Sequence, residues 1–184
     1  MQIAPFTADL IENVKKFTDE NIGINYYSIA EMTANQKKSI TINNEITSFV
    51  LIGEKNKILG LRLAYPPGNW AHGKGSKLHP ELWPFKLSEA AYFQSLFVSA
   101  EAQGQGFGPL LSEKSIEIFK KLNTKGIVTH CWKESPNNSS MKYLEKINFK
   151  TVIEHPDYWI DVDYTCTRDG FPCRCTALEM IKIL

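Results

Sequence analysis

The sequence has little arginine and almost no net charge. Only three of its 21 basic residues are arginines, Arg62, Arg168 and Arg174, and 20 acidic residues bring the formal charge to +1. Arginine is the side chain best suited to bidentate contacts with phosphates and bases, and a nearly neutral chain has no bulk field that attracts a polyanion. We therefore expect no nucleic-acid partner.

Long apolar runs and cysteines are also scarce. No stretch approaches the roughly 18 apolar residues of a membrane-spanning helix, and the first residues lack the basic and apolar regions of a signal peptide. The four cysteines are Cys131, Cys166, Cys173 and Cys175, in a chain of 184 residues that is 43% hydrophobic and has core enough without disulfides. We expect a single domain spanning residues 1–184, cytoplasmic, with reduced thiols and no membrane partner.

A metal site receives little support from these cysteines. The last three, with His155 or Cys131, raise the question of zinc, but structural zinc sites usually pair cysteines as C-x₂₋₄-C. The spacing from Cys166 to Cys175 is C-x₆-C-x-C across an apparent hairpin. The sequence therefore predicts no metal.

The periodicity of apolar residues predicts a mixed α/β chain. Helical spacing marks residues 7–21 and, more weakly, 28–40, and strand-like runs then flank a polar turn at 54–57. A long loop at 66–86 leads to a buried strand at 90–98 and a helix that starts with Pro109. A strand at 127–132 and a helix capped by Asn137 or Asn138 follow, and two closing strands surround Asp169-Gly170. This order predicts a mixed α/β (α+β) sheet flanked by helices.

A glycine-rich loop separates the buried strand from its helix. Its residues are Gln103, Gly104, Gln105, Gly106, Phe107 and Gly108. Glycines allow the backbone to approach a ligand closely, and the first N–H groups of a helix lack intrahelical partners, so this loop suits a pyrophosphate. A plain glycine-rich connection is the alternative.

Two other phosphate motifs fit poorly. The glycines are spaced G-x-G-x-G and lie in mid-chain, unlike the G-x-G-x-x-G of a dinucleotide-binding unit. The near P-loop at residues 68–75 has Gly75 where Ser or Thr would bind Mg²⁺, and no helical pattern follows it.

Two segments resemble the GNAT family of N-acetyltransferases. The run SLFVSAEAQGQGFGPLLSEKSIEIF is similar to the family's acetyl-CoA-binding core, with Gln103, Gly106 and Gly108 in its three fixed positions. Further on, NNSSMKYLEKINF is similar to its second landmark, with Asn137 and Phe149 in place and Asn148 replacing a glycine. The resemblance covers about residues 47–184.

The resemblance implies a GNAT-like fold and transfer of an acetyl group from acetyl-CoA to a primary amine in a ternary complex. It places the CoA pyrophosphate in the glycine-rich loop, beside Asn137. Strand N–H groups near Leu96, Phe97 and Val98 would hold pantetheine and polarise the thioester carbonyl. The acceptor would lie beside the long loop, near Trp70, His72, His79 and Trp83, although a loop packed over the core by its tryptophans is an equal alternative.

The catalytic residues are less clear than the cofactor site. The positions on the strand that often hold a Glu or His base are Tyr92 and Gln94, and neither is a base near neutral pH. Glu89 and Glu134 are nearby carboxylates. Leu144 occupies the usual place of the tyrosine that protonates the leaving thiolate, with Tyr143 one position earlier.

These departures keep a second function open, a non-catalytic acyl-CoA-binding or regulatory module on the same fold. The acceptor, a small molecule or a peptide amine, is not identified by the sequence. A homodimer is compatible with it.

Overall fold

A computed structural model of the chain describes residues 1–70, 77–162 and 164–184. Its strands are β1 (Gln2–Pro5), β2 (Phe49–Ile52), β3 (Ile58–Tyr65), β4 (Ala90–Val98), β5 (Gly126–Trp132), β6 (Lys150–His155) and β7 (Ala177–Ile183). Its α-helices are α1 (Ile11–Asn21), α2 (Ile29–Lys38), α3 (Phe107–Lys121) and α4 (Ser139–Lys146). The chain thus has the mixed α/β organisation that its sequence predicts.

The described strands form one sheet with the order β1-β2-β3-β4-β5-β7-β6. All neighbouring pairs are antiparallel except β4 and β5, which are parallel. Strand β1, which the sequence analysis did not predict, pairs with β2 at the edge. A strand of four residues carries too few alternations for its period to be recognised.

Helices cover both faces of this sheet. On one face, Val14 and Phe17 of α1 and Met32 of α2 pack against Leu61 and Leu63 of β3. The other face packs on α3 and α4, through apolar side chains that include Leu111, Phe119 and Leu144. The second helix, which the sequence predicts only weakly, is present as α2. Ser28 and Glu31 stabilise its start by forming a capping box. In the described residues no helix is long and apolar enough to cross a membrane.

Three local predictions need correction. Helix α3 begins at Phe107, two residues before Pro109, because Gly106 is its N-cap in a left-handed conformation. Asn138 is the N-cap of α4 but makes no side-chain cap; Ser135 Oγ accepts the hydrogen bond from Ser140 N instead. The Asp169-Gly170 turn does not join the closing strands directly, since β6 ends at His155 and β7 begins at Ala177. The described residues between them, 156–162 and 164–176, form an irregular connection.

Candidate active site

The middle of the sheet opens between β4 and β5. The two strands pair in parallel from Ala90↔Gly126 to Phe93↔Thr129 and then separate. Thr129 Oγ1 donates a hydrogen bond of 2.9 Å to the Phe93 carbonyl at the last paired position. Beyond it, β4 stays on β3 and β5 stays on β7, so a V-shaped cleft lies between them.

The second half of β4 therefore presents a free edge to the cleft. Ser99 N donates to the Leu59 carbonyl, and Gln103 Nε2 donates to the Val98 carbonyl from the other side. Because backbone groups alternate along an antiparallel strand, Leu96 and Val98 direct their N–H groups into the cleft. Phe97, which also lines the cleft, directs its backbone towards β3. The prediction that β4 is buried on both faces holds only as far as Phe93.

The glycine-rich loop lies at the outer end of this edge. Gly104 and Gly106 have φ values of 74° and 84°, and a Cβ at either would meet no atom within 4 Å. The backbone conformation at these two positions therefore favours glycine, and the space that a side chain would enter holds no protein atom. The first residues of α3 are Phe107, Gly108 and Pro109, which bring no carboxylate to repel an anion.

Tyr143 reaches the cleft from α4. Its hydroxyl accepts a 3.2 Å hydrogen bond from Arg62 Nη2 and contacts Ser112 Oγ and the Gly108 carbonyl. Arg62 is buried, with its guanidinium 4.2 Å from the centre of the Phe93 ring. Burial lowers the pKa of Arg62, yet an arginine remains a cation at neutral pH. Tyr143 lies one position before the usual place of the family's tyrosine, and its hydroxyl nevertheless reaches the wall of the cleft.

A tyrosine–histidine pair occupies the inner end of the cleft. Tyr92 Oη lies 2.9 Å from His130 Nδ1, and His130 Nε2 lies 2.9 Å from the Lys77 carbonyl. A carbonyl only accepts, so Nε2 carries a proton, and in the neutral ring Nδ1 accepts from the Tyr92 hydroxyl. Burial, followed by the proximity of Tyr158, raises the pKa of Tyr92 well above its ordinary value, which keeps the hydroxyl protonated at neutral pH.

Aromatic rings surround this pair. Trp70 stacks on Tyr92 at 4.8 Å between ring centres, and Tyr158 stacks on His130 at 4.5 Å. Trp159 packs edge-on against Tyr158. The whole cleft measures about 810 Å³, and its polar lining includes Gln94 as well as the tyrosines already described. Gln94 is the extra residue at a register shift in β4, which turns it outwards into the cleft.

The family model for the GNAT acetyltransferases matches residues 14–149 of the chain. The chain belongs to the GNAT acetyltransferase family. No curated protein sequence matches this GNAT chain.

Solved structures share its fold at low sequence identity. Naa20 of Chaetomium thermophilum, in complex with a bisubstrate analogue, is 14% identical with a TM-score of 0.70, covering 100% of this chain and 87% of its own. The NatC complex bound to Gag peptide and CoA matches at 16% identity and TM-score 0.69, covering 100% and 99%. The phosphinothricin acetyltransferase of Sinorhizobium meliloti, in complex with acetyl-CoA, matches at 16% and 0.68, covering 100% and 88%.

Several residues that the sequence selected do not line the cleft of this GNAT chain. Glu89 caps a turn by accepting from Lys86 N at the far end of β4, and Glu134 accepts from Thr176 N. Asn137 is exposed in a short 3₁₀ turn, with a φ of 55°. Their contacts therefore support no catalytic or cofactor role for these three residues.

Two residues of the long loop are bound to a buried carboxylate instead. Glu179 of β7 is fully buried and accepts from Trp83 Nε1 at 2.6 Å, from His155 Nε2 at 2.8 Å and from His79 N. Trp83 is itself buried against Phe85. This agrees with the alternative prediction, in which the tryptophans pack the long loop over the core. His72 lies outside the described residues. Of the predicted acceptor residues that the structure describes, Trp70 reaches the cleft.

The sequence analysis missed His130, which belongs to the tyrosine–histidine pair, and also Arg62, Tyr158 and Trp159 around it. His130 lies in IVTHCW beside Thr129, and one or two polar residues in an apolar strand are typical of many folded cores. The signal that identifies it is the register, which ends at Phe93↔Thr129 and leaves the next residue of β5 facing the cleft. That signal exists only once the strands are paired.

The buried tyrosines predict a loss of stability at alkaline pH. Burial raises the pKa of Tyr65 and Tyr92 in the folded chain above the ordinary value near 10. Above about pH 10 the unfolded chain loses these protons while the folded chain keeps them. The free energy of unfolding therefore falls as the pH rises towards the tyrosine pKa values of the folded chain. Below about pH 10 these tyrosines do not change it. Urea unfolding at about pH 9 and about pH 11 measures this loss, which Tyr65→Phe should reduce. Equal stabilities at both pH values would contradict it.

Proposed function

We propose that this protein transfers an acetyl group from acetyl-CoA to a primary amine in a ternary complex. The observation that carries the proposal is the Tyr92–His130 pair at the inner end of the cleft, beside the free edge of β4. A donor on that edge and an amine at the tyrosine would meet at the point where the strands separate. The whole chain, residues 1–184, would act as one domain, because β1 and β7 belong to the same sheet.

The free edge of β4 suits an extended thioester. The amide groups of pantetheine would continue the sheet on Leu96 and Val98, whose backbone groups point into the cleft. Their N–H groups would polarise the thioester carbonyl and stabilise the oxyanion that forms there. The pyrophosphate would rest on the N–H groups around Gly106 and Phe107 at the start of α3. Solved structures of the same fold hold CoA or acetyl-CoA, which supports this cosubstrate.

The amine must lose a proton before it can attack. For an alkylamine with a pKa of about 10.4, deprotonation at pH 7 costs about 4.6 kcal/mol. Tyr92 Oη would accept this proton as its own passes to His130 Nδ1. The resulting imidazolium donates Nε2–H to the Lys77 carbonyl, an arrangement that already exists in the neutral ring, and it releases the extra proton to solvent after the transfer. A protonated tyrosine and a neutral histidine thus act together as the base.

Tyr143 would complete the transfer. After the amine nitrogen attacks the carbonyl carbon, the C–S bond breaks and the CoA thiolate takes the Tyr143 hydroxyl proton. The second proton of the former amine, released through water, restores the tyrosine. The Arg62 cation beside the hydroxyl stabilises the phenolate that exists between these two events.

The acceptor side is aromatic. Trp70, Tyr158 and Trp159 form a wall around the reacting pair, and ring faces attract an approaching ammonium group. Of the proteins with this fold, one is bound to a peptide and another is a phosphinothricin acetyltransferase. Both small amines and peptide N-termini therefore belong in a test of this chain.

Product formation tests the proposal. The protein is incubated with acetyl-CoA and a panel of polyamines, aminoglycosides, amino acids and peptides, and acetylated products are identified by mass spectrometry. We expect one class to be acetylated with equimolar CoA release. Tight acetyl-CoA binding with no product across the panel would favour the non-catalytic acyl-CoA-binding module.

A further inference from the structure

The irregular connection between β6 and β7 brings three cysteines together. Cys166, Cys173 and Cys175 are all buried, and they form a small cluster covered by Trp132, Trp159 and Tyr164. None of the three belongs to the proposed reaction path. The antiparallel bridge between Cys166 and Gly170 closes a tight turn that carries Asp169 back to the sulfur atoms.

The four side chains present their ligand atoms to one point. One atom from each of Cys166, Asp169, Cys173 and Cys175 lies within 4.8 Å of all the others. The Cys166 and Cys175 sulfurs are 3.6 Å apart, and Cys175 Sγ is 3.2 Å from Asp169 Oδ2. Two thiolates on a tetrahedral zinc ion, each at about 2.3 Å, lie about 3.8 Å apart. The cluster already has nearly this separation.

Neighbouring groups hold the Asp169 carboxylate in place beside the sulfurs. Arg168 Nε lies 3.6 Å from Asp169 Oδ1. Arg174 N donates a 3.2 Å hydrogen bond to Asp169 Oδ2, which holds that oxygen towards the sulfurs. Such outer contacts are what orient metal ligands.

We propose that Cys166, Cys173, Cys175 and Asp169 bind a zinc ion. Three sulfurs and one carboxylate oxygen complete the four-coordinate set of a structural zinc site, and soft thiolates select zinc over magnesium or calcium. The thiols release their protons on binding, and the ion offsets negative charge that would otherwise be buried. The fourth ligand is Asp169, whereas His155 is bound to Glu179 and Cys131 lies in the core cluster of α3 and α4.

The spacing of the cysteines alone does not indicate this site. C-x₆-C-x-C lacks the usual close pair, but the Cys166–Gly170 turn folds the six intervening residues back on themselves. The site would also fix one wall of the cleft, because Tyr164, Thr165 and Thr167 of the same connection line it. Zinc binding does not depend on the proposed acetyl transfer.

Metal content tests the site directly. The reduced full-length protein is incubated with zinc chloride, freed of unbound metal by gel filtration, and analysed for zinc and protein. We expect one zinc per chain in the wild type. Cys173→Ser and Cys175→Ser should lower the zinc affinity by more than about a hundredfold, whereas Cys131→Ser, also a buried thiol, should keep it.

Cobalt(II) spectra and detection of a disulfide in the wild type keep the test decisive if the serine variants fail to fold. Wild-type protein loaded with cobalt should show thiolate-to-cobalt charge transfer and the visible bands of tetrahedral coordination, and chelation should lower its melting temperature. A chain that holds no zinc under reducing conditions and shows no such bands would overturn the proposal. Isolation of the wild type with a Cys166–Cys175 disulfide that forms equally in the presence of zinc would overturn it as well.

Discussion

Replacing Tyr92 by Phe is expected to lower kcat by about a hundredfold or more, with acetyl-CoA affinity changed less than about threefold. The ring that stacks on Trp70 remains, and only the hydroxyl that passes the proton to His130 Nδ1 is lost. Steady-state kinetics with the best acceptor, beside calorimetry with acetyl-CoA, measure both quantities. The matched control is Tyr65→Phe. Tyr65 of β3 pairs with Tyr92 of β4, but its hydroxyl is bound to Asn35 and not to His130.

His130→Gln should reduce kcat to a similar degree. Because the two side chains form one proton path, the Tyr92→Phe/His130→Gln double variant should be little slower than either single variant. Wild-type turnover in Tyr92→Phe would show that the amine loses its proton elsewhere. Losses that multiply in the double variant would show that the two residues act separately.

Placing a carboxylate in the glycine-rich loop is expected to remove most acetyl-CoA affinity. Gly106→Glu puts negative charge at the N-cap of α3, where the pyrophosphate is proposed to bind, and we expect a loss of at least about a hundredfold. The backbone there has φ of 84°, so any side chain adds strain of about 1–3 kcal/mol. Calorimetry with acetyl-CoA gives the affinity, and thermal unfolding confirms that the variant is folded.

Two controls separate charge from strain and bulk at Gly106. Gly106→Ala adds the strain alone, since its Cβ meets no atom within 4 Å. Gly106→Gln adds a side chain of the same shape as Glu without the charge. The expected order of affinity is wild type, Ala, Gln and then Glu. A folded Glu variant that binds acetyl-CoA like the wild type would exclude this loop as the pyrophosphate site.

The sequence predicts the central elements because their signals are local. The apolar run 90–98, the glycine loop after it and the amphipathic helix beyond each carry their own pattern, and all three are present. Asn148 has a φ of 66°, the left-handed conformation expected where the family has a glycine. Such signals need no knowledge of strand pairing.

The remaining features depend on pairing between distant residues. His130 faces the cleft because β4 and β5 stop pairing after Phe93↔Thr129. The sequence leaves Trp83 between an acceptor pocket and packing over the core. The contact that decides between them is its hydrogen bond to Glu179, far along the chain. The cysteine cluster likewise becomes visible only when its turn is closed. Periodicity does not encode contacts of this kind.

The most direct test of the account is a crystal structure with a bisubstrate analogue in which CoA is joined to the best acceptor. The account predicts pantetheine along the free edge of β4, with the carbonyl oxygen at the N–H of Leu96 or Val98 and the pyrophosphate at Gly106. The acceptor nitrogen should lie within hydrogen-bond distance of Tyr92 Oη. An analogue bound with its nitrogen away from the Tyr92–His130 pair, or outside the cleft between β4 and β5, would contradict it.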